Sequence, residues 1–337
     1  MSTPIVLDAP IRWGILSTAR IGVKQVIPAM QQGKLTTVTA IASRDLERAE
    51  AVAEELGIPK AYGSYEELLA DPDIDAVYNP LPNHLHVPWT LKALQAGKHV
   101  LCEKPIALDL SEAKALMTAA ALHPGLRVME AFMYRFHPQW LKARSIVQEG
   151  SLGEVRSIHA HFSYFNDDPA NIRNQENIGG GGLMDIGCYC ISWPRFLLDT
   201  EPVRVTGLVD VDPVLGVDRL TSGLMDFGGV QVSFTCSTQM TPYQRVLVLG
   251  TQGVLEIEIP ANAPAAQRTR LVLQRTGSAA EDIWIDAANQ YTLQGDAFSR
   301  AILEGKEVPT PLGDAVGNME AIEALFKAAK EERWVKL

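Results

Sequence analysis

The chain has 337 residues, 47% hydrophobic and 21% charged, with 40 acids against 30 bases and a formal net charge of -10. That length predicts two domains. The acidic balance argues against a nucleic-acid surface or an anionic membrane as partner, while leaving room for a local basic pocket for a phosphorylated cofactor.

No apolar run approaches the ~20 residues of a membrane span. Met1–Pro10 has no basic head and no apolar core, so no signal peptide is expected. The four cysteines are dispersed. Cys188 and Cys190 are two apart, which is not the C-x-x-C spacing of zinc ribbons or redox sites. They read as buried, reduced thiols of a cytoplasmic protein, and no metal site is expected.

Residues 11–16 form a short apolar strand. Ser17-Thr18-Ala19-Arg20-Ile21-Gly22 follows and then a helical stretch to about Gln32. Strand, turn and helix near the start are the setting in which G-x-G-x-x-G binds a dinucleotide. Here Ser17 and Ala19 stand where the first two glycines would be, and Gly22 matches. Small residues still let the backbone approach a pyrophosphate at the helix N-terminus.

The second strand, 36–42, is rich in Val, Thr and Ile and ends in Ser43-Arg44-Asp45. A dinucleotide fold reads its ribose near here, roughly 20 residues past the glycines. Ser43 and Arg44 offer donors and a positive charge that suit a 2′-phosphate, so NADP is expected, with NAD possible. Asp45 can at the same time cap the helix 46–56.

Ser64-Tyr65-Glu66-Glu67 reads as a capping box. Residues 74–78 form the next buried strand and run into Asn79-Pro-Leu-Pro-Asn-His-Leu-His86. Pro80 and Pro82 make a rigid loop beside the cofactor edge, and Asn83 is positioned to cap the helix 87–95. His84 and His86 read as capping or packing residues, with no acid or cysteine at metal spacing around them. Gly97 ends that helix.

His99-Val-Leu-Cys102-Glu103-Lys104-Pro105 follows. Its apolar part suits a strand buried on both faces, which Pro105 brings to a close. Glu103 and Lys104 then lie at the carboxyl end of a central strand, where open α/β sheets hold ligands. A lysine there should meet a negative charge or a reacting oxygen. An alanine-rich helix (109–123) and an apolar strand (127–133) complete six strands alternating with helices, a doubly wound parallel sheet over 1–133.

From Tyr134 the texture changes. A helix near 138–149 leads to a long strand, 155–165, and then a loop, 166–182, ending in four glycines. Helical spacing over 183–197 precedes six stretches with strand character between 203 and 274. These predict an α+β domain, 134–337, on a large open, mostly antiparallel sheet built hairpin by hairpin, with helices at 289–305 and 314–333. The second face of that sheet, which helices do not obviously cover, is expected to be apolar and to form a homodimer or a dimer of dimers.

Asp185 and Tyr189 are four apart, on one helical face, with Gly179–Gly182 leaving the approach to it open. A carboxylate and a phenol opposite a strand-end lysine can relay a proton, provided positive charge lowers the phenol's pKa. The same residues also suit local pairing for Asp185 and core packing for Tyr189.

Taken together, Gly14-Ile-Leu-Ser-Thr-Ala-Arg-Ile-Gly22, Val77-Tyr-Asn-Pro-Leu-Pro-Asn-His-Leu-His86, Glu103-Lys-Pro105, Glu130-Ala-Phe-Met-Tyr-Arg-Phe-His-Pro138 and Gly180-Gly-Gly-Leu-Met-Asp-Ile-Gly-Cys-Tyr189 resemble the Gfo/Idh/MocA oxidoreductases. The nearest branch is that of the dimeric dihydrodiol dehydrogenases and NADP-dependent D-xylose dehydrogenases. The resemblance implies a Rossmann domain and hydride transfer between NADP and a secondary alcohol, ketone or aldose C1 of a sugar or cyclic trans-diol. It implies Lys104 on the reacting oxygen, Tyr189 as general acid/base and Asp185 positioning substrate, with Arg173 as a further substrate contact. Cofactor contacts are implied for Ser17, Thr18, Ala19, Arg20, Ile21, Ser43, Arg44, Pro80, Leu81, Asn83, His86, Glu103 and Lys104. Two rivals remain: a glycosidase working by transient oxidation with retained NAD, and a sugar/NADP sensor with no need of proton-transfer groups.

Overall fold

The computed structural model describes residues 9–337, so most of the amino-terminal stretch read for a signal peptide lies outside the described residues. Two compact units result. One holds the chain up to Met133 together with Tyr291–Val316; the other holds Tyr134–Gln290 and Gly317–Leu337.

In the first unit, β1 (Ile11–Leu16), β2 (Thr36–Ala42), β3 (Lys60–Tyr62), β4 (Ala76–Asn79), β5 (His99–Cys102) and β6 (Val128–Glu130) form one sheet in the order β3-β2-β1-β4-β5-β6. Every neighbouring pair is parallel. Strands such as Val100-Leu101-Cys102 are buried throughout, as apolar runs covered on both faces must be. The strand order reverses between β1 and β4, which opens a crevice at the carboxyl ends of those strands.

Side chains cap the helix starts, at Asp45 and Ser64 as the sequence predicts and at Asp109, read there as the first helical residue, as a further case. Asp45 accepts from Arg48 N–H, Ser64 from Glu67 N–H and Asp109 from Glu112 N–H. Asn83 is an exception. The helix His86–Gln95 begins after Leu85 with no side-chain cap, and Asn83 instead opens a separate 3-10 turn, Asn83–Leu85. That turn sets Asn83 too far back to serve as an N-cap, which must directly precede the first helical residue.

The segment from Tyr291 to Val316, expected in the second domain, belongs to the first unit. Helical periodicity marks it as amphipathic but says nothing of which sheet it covers. Phe298 packs on Trp13 of β1 with ring centroids 5.5 Å apart. Trp13 Nε1 donates to Ser299 Oγ at 3.2 Å, and Asp296 accepts the backbone N–H groups of Lys34 and Leu35 at 3.1 and 2.9 Å.

In the second unit, β7 (Val155–Phe165), β8 (Arg204–Val211), β9 (Asp218–Asp226), β10 (Gln231–Ser237), β11 (Gln239–Gly250), β12 (Gly253–Ile257), β13 (Thr269–Arg275), β14 (Glu281–Ile285) and β15 (Val335–Lys336) form a sheet ordered β14-β13-β12-β11-β7-β10-β9-β8-β15. It is antiparallel except at β7–β10, which pair in parallel. The hairpin-by-hairpin expectation fails there. β10 and β11 are separated by Thr238 alone yet lie on opposite sides of β7, because the chain crosses the end of that strand. Thr238 N–H donates to Arg219, and its carbonyl accepts from Asn166 N–H.

Helices Pro138–Gln148 and Cys188–Leu198 cover one face. Trp140 stacks on Trp193 at 5.8 Å, and Trp193 on Phe162 of β7 at 6.0 Å. The opposite face is mixed rather than apolar. Leu208, Leu224 and Tyr243 are exposed, but Ser157, His159, His161, Ser222, Ser233 and Thr235 alternate among them. Among the described residues no helix is long and apolar enough to cross a membrane.

Candidate active site

In the first unit, the turn after β1 is built from backbone. Ser17 has φ +96°, a conformation that favours glycine, so serine occupies the fingerprint's first position in a glycine's geometry. Its N–H donates to Ala42 and its Oγ accepts from Ala19 N–H at 3.2 Å. Thr18 is buried and Arg20 exposed, and a wide helical turn, Gly22–Val26, follows Ile21. At the end of β2, Ser43 is buried with Oγ accepting from Asp45 N–H at 3.2 Å, while Arg44 is exposed. Arg44 bonds the Tyr65 hydroxyl, whose pKa burial raises and Arg44 partly lowers. Backbone N–H groups at a helix start and a cation at the end of β2 are a donor set that fits a phosphorylated dinucleotide.

The loop after β4 is held by two fully buried side chains. Asn79 accepts from Leu81 N–H at 3.3 Å and donates to the His86 carbonyl at 3.1 Å. The His86 ring lies between the carbonyls of Leu81 and Pro105, each 2.7 Å from a ring nitrogen. Burial pushes its pKa down to about 4, against the pull of those carbonyls. Both nitrogens thus face the protein's own backbone; the neutral ring donates to one of the two carbonyls, and only the charged ring would donate to both. His86 fixes the loop carrying Pro80 and Leu81 and ties it to the Glu103-Lys104-Pro105 turn.

Glu103 and Lys104 follow β5 immediately. Tyr78 on β4, opposite Leu101, donates to Glu103 Oε1 at 2.7 Å; burial chiefly, and then Glu103, raise the Tyr78 pKa well above its usual value. Burial and Glu103 also raise that of Tyr291. Behind the turn, buried Glu130 accepts from Ile106 N–H at 2.8 Å.

In the second unit, Asp185 sits in a wide helical turn, Leu183–Gly187, just before the helix carrying Tyr189. Its two oxygens have separate partners. Oδ1 accepts from Arg173 Nε at 3.0 Å, and Oδ2 accepts from Tyr164 Oη at 2.5 Å. Burial first, and then Asp185, push the Tyr164 pKa far up, so Tyr164 stays the donor at physiological pH. Tyr189 is buried in an aromatic group, 5.8 Å from Phe162 and 6.1 Å from Tyr134 between ring centroids. Arg173, on the short turn Ile172–Asn174, is half-exposed and reaches the site through Asp185.

The glycine run serves close packing, not an open approach. A Cβ on Gly180 would lie 2.7 Å from the Arg173 carbonyl, and one on Gly181 would lie 2.1 Å from Asp218 Oδ1. Tyr78, Asn79, Glu130, Tyr164 and Asp218 take part in these arrangements without a role in the sequence reading. Tyr164 lies two residues from Phe162 on β7 and so shares its face, which says nothing of its partner. Among the described residues no group of three or more His, Cys, Asp or Glu could hold a metal ion.

Residues 11–132 match the oxidoreductase family with an NAD-binding Rossmann fold (GFO_IDH_MocA), and residues 140–256 match the GFO/IDH/MocA C-terminal domain. The chain is 40% identical to D-xylose 1-dehydrogenase (NADP(+)) 2 of Haloferax volcanii, over 96% of this chain and 99% of the relative. It is 36% identical to trans-1,2-dihydrobenzene-1,2-diol dehydrogenase of Mus musculus, over 74% of each. Among solved structures, a 3-ketoreductase from Actinomadura kijaniata in complex with NADP and TDP-benzene superposes with a TM-score of 0.89 at 32% identity, covering 95% of this chain and 98% of the other.

Proposed function

Because the chain belongs to the Gfo/Idh/MocA oxidoreductase family, we propose that it is a cytoplasmic NADP-dependent dehydrogenase or reductase acting on a secondary alcohol, ketone or aldose C1 of a sugar or cyclic trans-diol. The observation that carries the reading is the carboxyl end of β5, where Glu103 and Lys104 leave a central strand at the edge that open α/β sheets use for ligands. Bound NADP would accept or supply the hydride. Ser17–Ile21 would present backbone to its phosphates, Ser43 and Arg44 would meet the 2′-phosphate, and the His86-clamped loop with Asn83 and Glu103 would border the nicotinamide end.

In this reading Lys104 holds the reacting oxygen and Tyr189 takes or returns its proton. Asp185 accepts from a neighbouring substrate hydroxyl. With one oxygen on Arg173 and the other on Tyr164, its carboxylate is oriented before any substrate arrives, which lowers the ordering cost of binding. NADP-linked turnover, followed by the absorbance of reduced nicotinamide across aldoses, inositols and trans-cyclic diols, tests the proposal. Silence across the panel, with cofactor copurifying, would favour the glycosidase. Saturable NADP binding without turnover would favour the sensor.

We also propose a homodimer, or a dimer of dimers, with a second copy of the chain on the outer sheet face. Leu208, Leu224 and Tyr243 border a groove of ≈ 540 Å³ there, and alternating Ser, Thr and His side chains offer self-complementary polar contacts. A monomer in sedimentation at micromolar concentration contradicts this.

A further inference from the structure

The carboxylate of Asp218, at the start of β9, lies outside every role assigned so far. It is 5% exposed and faces the end of the glycine run. Oδ2 accepts from Leu183 N–H at 2.6 Å and from Thr221 Oγ1 at 3.0 Å, and Gly182 N–H also bonds the carboxylate. Leu183 is the first residue of the wide turn that carries Asp185. Gly181, at φ +115°, brings its backbone so close to Oδ1 that no side chain fits. Two backbone bonds then radiate from Gly181. Its carbonyl accepts from Asp185 N–H at 3.0 Å, and its N–H donates to the Arg173 carbonyl at 2.8 Å.

We infer that Asp218 is a positioning residue: its buried carboxylate fixes Gly181–Leu183 and, through them, sets the side chains of Asp185 and Arg173 against each other. This rests on the proposed role of Asp185 in holding substrate. A neutral group would fill the same space, and burying a carboxylate is costly unless its charge is used. Here the charge is spent on backbone N–H groups at the start of a helical turn, where a carboxylate accepts best. Burial pushes the Asp218 pKa up to about 6, and its N–H and hydroxyl partners pull the other way. Cys236 of β10 is a titratable group on which Asp218 acts. Arg219, next along β9, is turned to Asp210 and Asp212.

The test uses Asp218→Asn, Asp185→Asn and the double variant of the full chain. Asp218→Asn should raise the sugar KM roughly tenfold, the worth of one charge-assisted hydrogen bond, with kcat within about twofold and NADPH affinity unchanged. It should melt no lower than wild type at about pH 8, because the charge it removes is costly to bury. In the Asp185→Asn background the same substitution should add nothing, since residues acting as one unit are not additive. An unchanged KM, or full additivity in the double variant, overturns the inference.

Hydrogen exchange gives a readout independent of turnover. The amides of 181–187 should exchange faster in Asp218→Asn while the rest of the sheet is unaffected, and unaltered exchange there overturns the inference as surely. If wild type turns over neither a sugar nor a cyclic diol, the dehydrogenase reading falls and the exchange result alone decides the role of Asp218. Should Asp218→Asn fail to fold, Thr221→Val removes one partner of the same carboxylate and should move both readouts in the same direction by less.

Discussion

The two units hold their functional groups by different means. In the first, buried side chains hold backbone: Asn79 and His86 fasten the loop after β4, and Glu130 fastens the turn after Lys104. Lys104 itself is placed by the end of a strand. In the second, side chains hold a side chain. Asp185 is set by Tyr164, 21 residues earlier, and Arg173, 12 residues earlier, and its turn by Asp218, 35 residues beyond Leu183. A strand end places whatever residue follows it, so the first arrangement tolerates change around it. The second depends on each partner being present.

The largest effects should fall on the groups proposed to handle the proton. Lys104→Ala and Tyr189→Phe should each cost ~10²–10⁴ in kcat. If the first unit holds its cofactor mainly by backbone, Lys104→Ala should keep NADPH affinity, as fluorescence titration would show. Wild-type turnover in Tyr189→Phe would remove that residue from the mechanism.

Next in size is a stability effect that tests the return of the chain to the first unit. Phe298 is fully buried against Trp13. Phe298→Ala should cost ~3–5 kcal/mol in denaturant unfolding, as large-to-small changes in tight cores do. A loss below ~1 kcal/mol would show that the packing of this helix on β1 is dispensable.

The pH dependence of stability separates the units further. Asp218 has a folded pKa of about 6 against an ordinary value of 3.8. The folded chain therefore holds this proton more tightly than the unfolded chain. The corresponding stabilisation is complete below the unfolded value and is lost as pH rises through about 6. A gap of this size corresponds to ~3 kcal/mol. Asp218→Asn should flatten the fall in stability across that window, read as melting temperature against pH. Identical pH profiles for the variant and wild type would show that the carboxylate is not buried as described.

This contrast also explains what was legible in the sequence. The parallel sheet, the caps at Asp45 and Ser64, and the position of Lys104 follow from local rules: apolar runs, side-chain oxygens before helices, a proline after a strand. Asp185 was legible because it lies in a motif with Gly180–Gly182. Its partners were not, because Tyr164 reads as one more strand aromatic and Asp218 as a polar residue before a strand. The parallel pairing of β7 with β10 and the return of Tyr291–Val316 were hidden for the same reason. Both depend on which surfaces meet, and periodicity reports only that a surface exists.

The smallest effect expected is at Arg44, and it tests how far the first unit relies on backbone alone. Arg44 is exposed at the end of β2 and bonded to Tyr65, and it is the residue proposed to meet the ribose 2′ substituent. Arg44→Ala should raise the KM for NADP about tenfold, equivalent to ~1.4 kcal/mol, and leave that for NAD unchanged. The loss for NADP should shrink with added salt, because an exposed charge pair is screened. If both cofactors weaken equally, Arg44 contacts something they share, and the 2′-phosphate must be met by backbone or by Ser43. In that case the first unit would be built for its cofactor without any charged side chain from the end of β2, and the contrast with the second unit would be sharper still.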